Sequence, residues 1–140
     1  MAIEVVVDSS VIVALVTPEE HSEWASKKIS EHNYFHILDL NYYEVSNAIK
    51  SKTSGKFEGN DAVKAFTEAV KLMNLYAIHS FSEIIADAIA LSFKLDVTVY
   101  DAAFLSLAEK LDIRLLTLDI RLKDKIKGTK YYGIIECPSK

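Results

Sequence analysis

Four acidic residues carry the chemistry this sequence could perform. Asp8 ends the run I-E-V-V-V-D-S-S, in which four apolar β-branched residues over Ile3–Val7 are broken only by Glu4. Such a run predicts a buried strand that delivers Asp8, Ser9 and Ser10 to its C-terminal edge. Ligand crevices of open α/β sheets lie outside that edge. An Asp before a helix also serves as an N-cap, so Asp8 reads as a cap or as a working acid. Asp119 closes a second apolar run, R-L-L-T-L from Arg114, and period-two alternation points Thr117 and Asp119 the same way. Glu44 and Asp101 fall near the starts of two helical segments. If all four meet, two ionised carboxylates ~4 Å apart repel by ~4 kcal/mol at an effective dielectric of ~20. The site must then raise some pKa values or hold a cation. Oxygen-only ligands select Mg²⁺ or Mn²⁺ over zinc, and such a metal activates water and neutralises a phosphoryl group, as phosphodiester hydrolysis requires.

The elements that must position these acids alternate between strand and helix. After Ser10 the apolar V-I-V-A-L-V is halted by Thr17-Pro18, and Thr17 as N-cap with Pro18 at the first helical position predicts a helix through about Glu31. Tyr34 to Leu38 is a strand. The helix that follows puts Tyr42, Val45, Ala48 and Ile49 on one side and Glu44, Asn47 and Ser51 on a polar flank beside it. Ser51 to Asn60, with two of the four glycines, is a loop or hinge. Asp61 to Leu75 forms an amphipathic helix, Tyr76 to His79 a third strand, and Ser80 or Ser82 caps a helix through Phe93.

In V-T-V-Y-D-A-A-F-L-S-L-A-E-K-L, Val97–Leu111, a helical projection places Ser106, Glu109 and Lys110 on the wet face. Asp101 falls about 130° away among Phe104, Leu105 and Ala108, on the dry side. Burying an unpaired charge costs several kcal/mol, so Asp101 needs a cation, a cap role or a hydrogen-bond network. Arg114 to Leu118 is a fourth strand, Ile120 to Lys127 a basic helix stopped by Gly128, and Tyr131 to Ile135 a last strand. The whole predicts an α/β three-layer sandwich with a central parallel sheet of about five strands and helices on both faces.

The totals bound the rest. The 140 residues fit one domain, 1–140, and 50% hydrophobic content supports a core without staples. Cys137 is the single cysteine, and the four histidines show no zinc-type spacing. Without a membrane-length apolar run or a signal-like N-terminus, the expectation is a reduced, cytoplasmic protein with no membrane association. A net charge of −4 argues against strong non-specific nucleic-acid binding. Lysines still cluster locally, and Lys50, Lys52, Arg121 and Lys123 are the candidates for contact with phosphate.

The segments V-V-D-S-S-V, Y-Y-E-V-S-N-A-I, V-Y-D-A-A-F-L-S-L-A-E-K-L and L-L-T-L-D-I-R-L together resemble a PIN-domain ribonuclease of the VapC toxin type. The resemblance spans nearly the whole chain, and Tyr100-Asp101 with Thr117-x-Asp119 is its most specific part. It implies an acidic Mg²⁺ or Mn²⁺ site that cuts RNA, with Asp8, Glu44, Asp101 and Asp119 as metal-binding and catalytic acids. Ser9, Thr117 and Asn47 would support them. It also implies a homodimer and a cognate antitoxin laid across the active-site groove.

Other classes fit less well. A phosphatase of the haloacid dehalogenase type needs a second acid two residues after the first, where this chain has Ser10, and a phospho-receiver module needs an acidic pair that Asp8 lacks. A PIN-like fold kept only for protein contact would have shed some of the four acids.

Overall fold

A computed structural model describes residues 3–52 and 58–139. The first strand, β1 (Glu4–Val7), buries Val5, Val6 and Val7 completely. It lies at the centre of a five-stranded sheet with β2 (Tyr34–Leu38), β3 (Ala77–His79), β4 (Arg114–Leu116) and β5 (Ile135–Glu136), in the order β3-β2-β1-β4-β5. Every pairing is parallel, with Val6 opposite both His36 and Leu115. A parallel sheet must be covered on both faces, and the alternation of side chains along β1 serves both cores. Val5 and Val7 pack with Ile37 and Leu116 under α1 (Ser9–Val16), α3 (Leu40–Ser51) and α4 (Gly59–Leu75). Val6 packs with Leu38, Leu115 and Ile135 under α5 (Ile85–Leu95) and α6 (Val99–Leu111). Strand order runs outward from β1 in both directions, so the topological switch point falls at the carboxyl ends of β1 and β4.

Local chemistry moves several boundaries from those expected. The segment after Asp8 is itself a helix, α1, because the Asp8 carboxylate accepts the Ser9 N–H at its start. Thr17 therefore ends a helix rather than opening one: its Oγ1 donates to the Val13 carbonyl at 2.8 Å, and Pro18 follows as proline often follows a helix end. The next helix, α2, begins only at Ser22 and runs to Ser30. Ser80 caps a short 3-10 turn, Phe81–Glu83, before α5. The basic helix, α7, spans Ile120–Lys125, and Gly128 takes a left-handed φ of 89°. Lys130–Ile134 coils as a 3-10 turn, leaving two residues for β5, which pair with Leu115 and Leu116 of the three-residue β4. Of the expected hinge at 51–60, residues 53–57 lie outside the described residues.

The largest correction concerns α6. Ala102 to Ala108 are buried without a break, Ser106 included at 4% exposure, and the exposed positions are Val99 and Tyr100 at the start of the helix and Glu109 and Lys110 near its end. A projection assumes one dry side, whereas α6 lies between the sheet and α5 and is covered on several sides. Among the described residues the Ser106 hydroxyl has no hydrogen-bond partner. Ser106→Ala is accordingly expected to raise the unfolding free energy by about 1 kcal/mol, and its neighbour Leu105→Ala to lower it by about 2–5 kcal/mol, both read from urea titrations.

Candidate active site

The carboxyl ends of β1 and β4 open into a cleft of about 740 Å³ whose walls include Asp8, Glu44, Asp101 and Asp119. Each acid arrives by a different device. Asp8 follows β1, and its backbone N–H donates to the Leu116 carbonyl of β4. Asp119 follows β4 and caps α7, its Oδ1 accepting the Leu122 N–H at 3.0 Å. Glu44 stands in the second turn of α3. Asp101 stands in the first turn of α6, where Thr98 is the N-cap and accepts the Asp101 N–H at 3.1 Å. The capping question raised by Asp8 thus resolves as both: Oδ1 accepts from Ser9 N–H and so caps α1, while the carboxyl group lines the cleft.

Hydroxyls hold the acids in place. Asp8 Oδ2 accepts two hydrogen bonds at 2.8 Å, from Ser10 Oγ and Thr117 Oγ1. Those two hydroxyls in turn accept the Leu118 and Asp119 N–H groups at 3.0 and 3.1 Å, so the loop carrying Asp119 is docked onto Asp8. Ser9 Oγ donates to Glu44 Oε1 at 2.9 Å. Fully buried Asn41 accepts the Leu38 N–H and donates to the Val7 carbonyl and to Ser9 Oγ, fixing the ends of β1 and β2 to α3. Of the three expected supporting residues, Ser9 thus contacts Glu44 and Thr117 contacts Asp8. Asn47 is exposed and does not line the cleft. Of the cationic candidates, Lys52 and Arg121 line the cleft; Lys50 does not, and Lys123 has its ammonium 4.9 Å from the centre of the Tyr132 ring. Sequence reading passed over Ser10 and Asn41. The doublet after Asp8 could have revealed Ser10, but a lone Asn at a helix start gives no sign of burial.

Electrostatics set Asp8, Glu44 and Asp101 apart from surface carboxylates. Burial lifts the Asp8 carboxyl above its ordinary value despite its three hydrogen bonds, and Asp119 adds to the lift. Burial also lifts Glu44, with repulsion from Asp8 and Asp101, and it lifts Asp101, with repulsion from Asp8 and Asp119. Among the described residues, no three His, Cys, Asp or Glu side chains gather closely enough to cage a metal ion as they stand. The acids border a cleft instead. That arrangement, carboxylate oxygens lining an open cleft, fits a hard divalent cation that retains much of its water shell.

A family model described as PIN domain matches residues 5–127. The chain belongs to the PIN-domain family. This PIN-domain chain is 42% identical over 123 residues to Ribonuclease VapC3 of Pyrobaculum aerophilum, covering 87% of the chain and 94% of that protein. Among solved structures it is similar to PAE2754 from Pyrobaculum aerophilum, at 26% identity and a TM-score of 0.66, over 92% of this chain and 89% of that one. A toxin-antitoxin complex from Klebsiella pneumoniae shares the fold at a TM-score of 0.71 and 15% identity, over 97% and 98% of the two chains.

Raised carboxyl pKa values in the folded PIN domain make its stability depend on pH in a fixed direction. A group whose folded pKa exceeds its unfolded one destabilises the fold progressively as pH rises from the ordinary carboxylate range through the raised value. Asp101→Asn removes that cost. In chelator the variant is expected to melt above the wild type at neutral pH, with the difference closing as the solution is made acidic. Added Mn²⁺ should raise the melting temperature of the wild type and leave the variant nearly unmoved. Equal responses to Mn²⁺ would count against Asp101 as a ligand.

Proposed function

We propose that this chain is a divalent-metal-dependent endoribonuclease and the toxin of a toxin-antitoxin pair, with residues 1–140 acting as one nuclease unit in the cytoplasm. The observation that carries the reading is the convergence of Asp8, Glu44, Asp101 and Asp119 on one cleft at the switch point of the sheet. The relative at 42% identity is named a ribonuclease, which supports RNA as substrate, and the similar toxin-antitoxin complex supports a cognate antitoxin as partner. No helix among the described residues is long and apolar enough to cross a membrane.

The four acids would hold Mg²⁺ or Mn²⁺, which when bound supplies an activated water and neutralises charge on the scissile phosphate. The residues of the chain do the rest. Ser10 and Thr117 fix the Asp8 rotamer, so the carboxyl does not need to be ordered when RNA arrives. Ser9 fixes Glu44 by donating to it. The buried, mutually repelling acids leave positive charge as the favoured occupant of the cleft. A phosphodiester drawn there meets Lys52 and Arg121 at the walls.

Incubation of single-stranded RNA with the purified chain and Mn²⁺ is expected to give cleavage that chelator abolishes. Asp101→Asn should reduce the rate at least roughly 100-fold, while Asn47→Ala, outside the cleft, leaves it unchanged. Cleavage indifferent to metal and to Asp101 would overturn the mechanism.

A homodimer belongs to the same reading. Helix α5 exposes Ile85, Ile89 and Phe93 at four-residue intervals, with Phe93 83% exposed, and an apolar stripe of that kind suits a second copy of the chain. Sedimentation should find a dimer for the wild type and a monomer for Phe93→Glu; a monomeric wild type would remove the dimer from the account.

A further inference from the structure

The cleft wall holds an ion pair that the mechanism does not use. Lys52, the residue that ends α3, reaches across to the turn after α1, where its ammonium contacts the Glu19 carboxylate and donates to Thr17 Oγ1 at 3.0 Å. Neither partner is loose. Thr17 is buried and tied to the Val13 carbonyl, and the Glu19 N–H donates to Ser22 Oγ, which itself donates to the Thr17 carbonyl. The turn is thus preformed with its carboxylate directed at the lysine. Both side chains line the cleft, Glu19 from the turn after α1 and Lys52 from the end of the helix that also carries Glu44. Lys52 lies eight residues beyond Glu44, so the two backbones are separated by roughly 12 Å along the axis of α3.

The charge balance gives that pair its meaning. Six carboxylates line the cleft: Asp8, Glu19, Glu20, Glu44, Asp101 and Asp119. Lys52 and Arg121 are the lysine and arginine that face them among the described residues. A divalent cation held by Asp8, Glu44, Asp101 and Asp119 offsets charge there and leaves Glu19 to its own partner, Lys52. A polyanion entering the cleft therefore meets one of its two fixed cations already neutralised.

We propose that Glu19 is a specificity-determining residue that occupies Lys52 in the free protein and yields it only to an RNA phosphate held there by other contacts. The proposal rests on the nuclease reading. It makes Lys52 a conditional phosphate contact: RNA that merely diffuses in must displace a carboxylate that is pre-positioned by its turn. RNA whose shape presents a phosphate at that point exchanges one anion for another. A chain of net charge −4 gains selectivity in this way without a basic groove.

The test is a double-mutant cycle on RNA binding by the full chain. A labelled mixed-sequence single-stranded RNA is titrated against wild type, Glu19→Gln, Lys52→Gln and the double variant at several salt concentrations, with melting temperatures recorded alongside. Glu19→Gln is expected to tighten binding roughly three- to tenfold and to steepen the salt dependence by about one counterion. Lys52→Gln should weaken binding, Lys52→Arg should restore it, and the double variant should match Lys52→Gln because Glu19 acts through Lys52. Glu19→Gln that tightens binding equally with and without Lys52, or that changes nothing, overturns the proposal. Metal-dependent cleavage by the wild type is assayed in parallel. Cleavage without the binding pattern sinks the latch alone, and the binding pattern without cleavage sinks the nuclease reading while leaving the latch supported.

Discussion

Two hydroxyl donors on one carboxylate oxygen organise this molecule. Asp8 Oδ2 receives Ser10 Oγ and Thr117 Oγ1, and through them the backbone of Leu118 and Asp119 is fastened to the end of β1. The contact joins residues more than a hundred positions apart in sequence and closes the switch point of the sheet. Hydrogen bonds to a charged acceptor are stronger than neutral ones, and here they also fix a rotamer before any ligand arrives. Ser9 extends the same clamp to Glu44. Three consecutive residues after a buried strand therefore hold two of the other three acids in register.

The clamp is set against an electrostatic cost. Burial and mutual repulsion push Asp8, Glu44 and Asp101 toward protonation, so the cleft is built for a partner of positive charge. Local interactions at functional sites are often unfavourable in isolation and are held by the surrounding fold. Here the holding is done by the fully buried Val5–Val7 floor and by Asn41, whose amide joins β1, β2 and α3. The same acidity governs how RNA would be met at Lys52, which Glu19 already engages.

Much of this was legible in the sequence because it depends on period and position. A strand run ending in acid placed Asp8 and Asp119, and alternation coupled Thr117 to the same edge. The parallel five-stranded sheet followed from the alternation of elements. What was not legible depends on three-dimensional cover. Ser106 looked wet because a helical wheel cannot see that α6 is packed on several sides. Pro18 looked like a helix start because the Asp8 cap that makes Ser9–Val16 helical is the same group suspected of chemistry. Asn47 shares a helix flank with Glu44 in projection, yet it is exposed and away from the cleft. The Glu19–Lys52 pair spans two elements that no spacing rule connects.

The central claim is that Asp8, Glu44, Asp101 and Asp119 surround one hard divalent cation. Crystals soaked in Mn²⁺ and measured at the manganese absorption edge test it most directly. The account predicts an anomalous-difference peak in the cleft at the carboxyl ends of β1 and β4, coordinated by carboxylate oxygens from this set with water completing the shell. A peak elsewhere, or none in the cleft at saturating Mn²⁺, would contradict it.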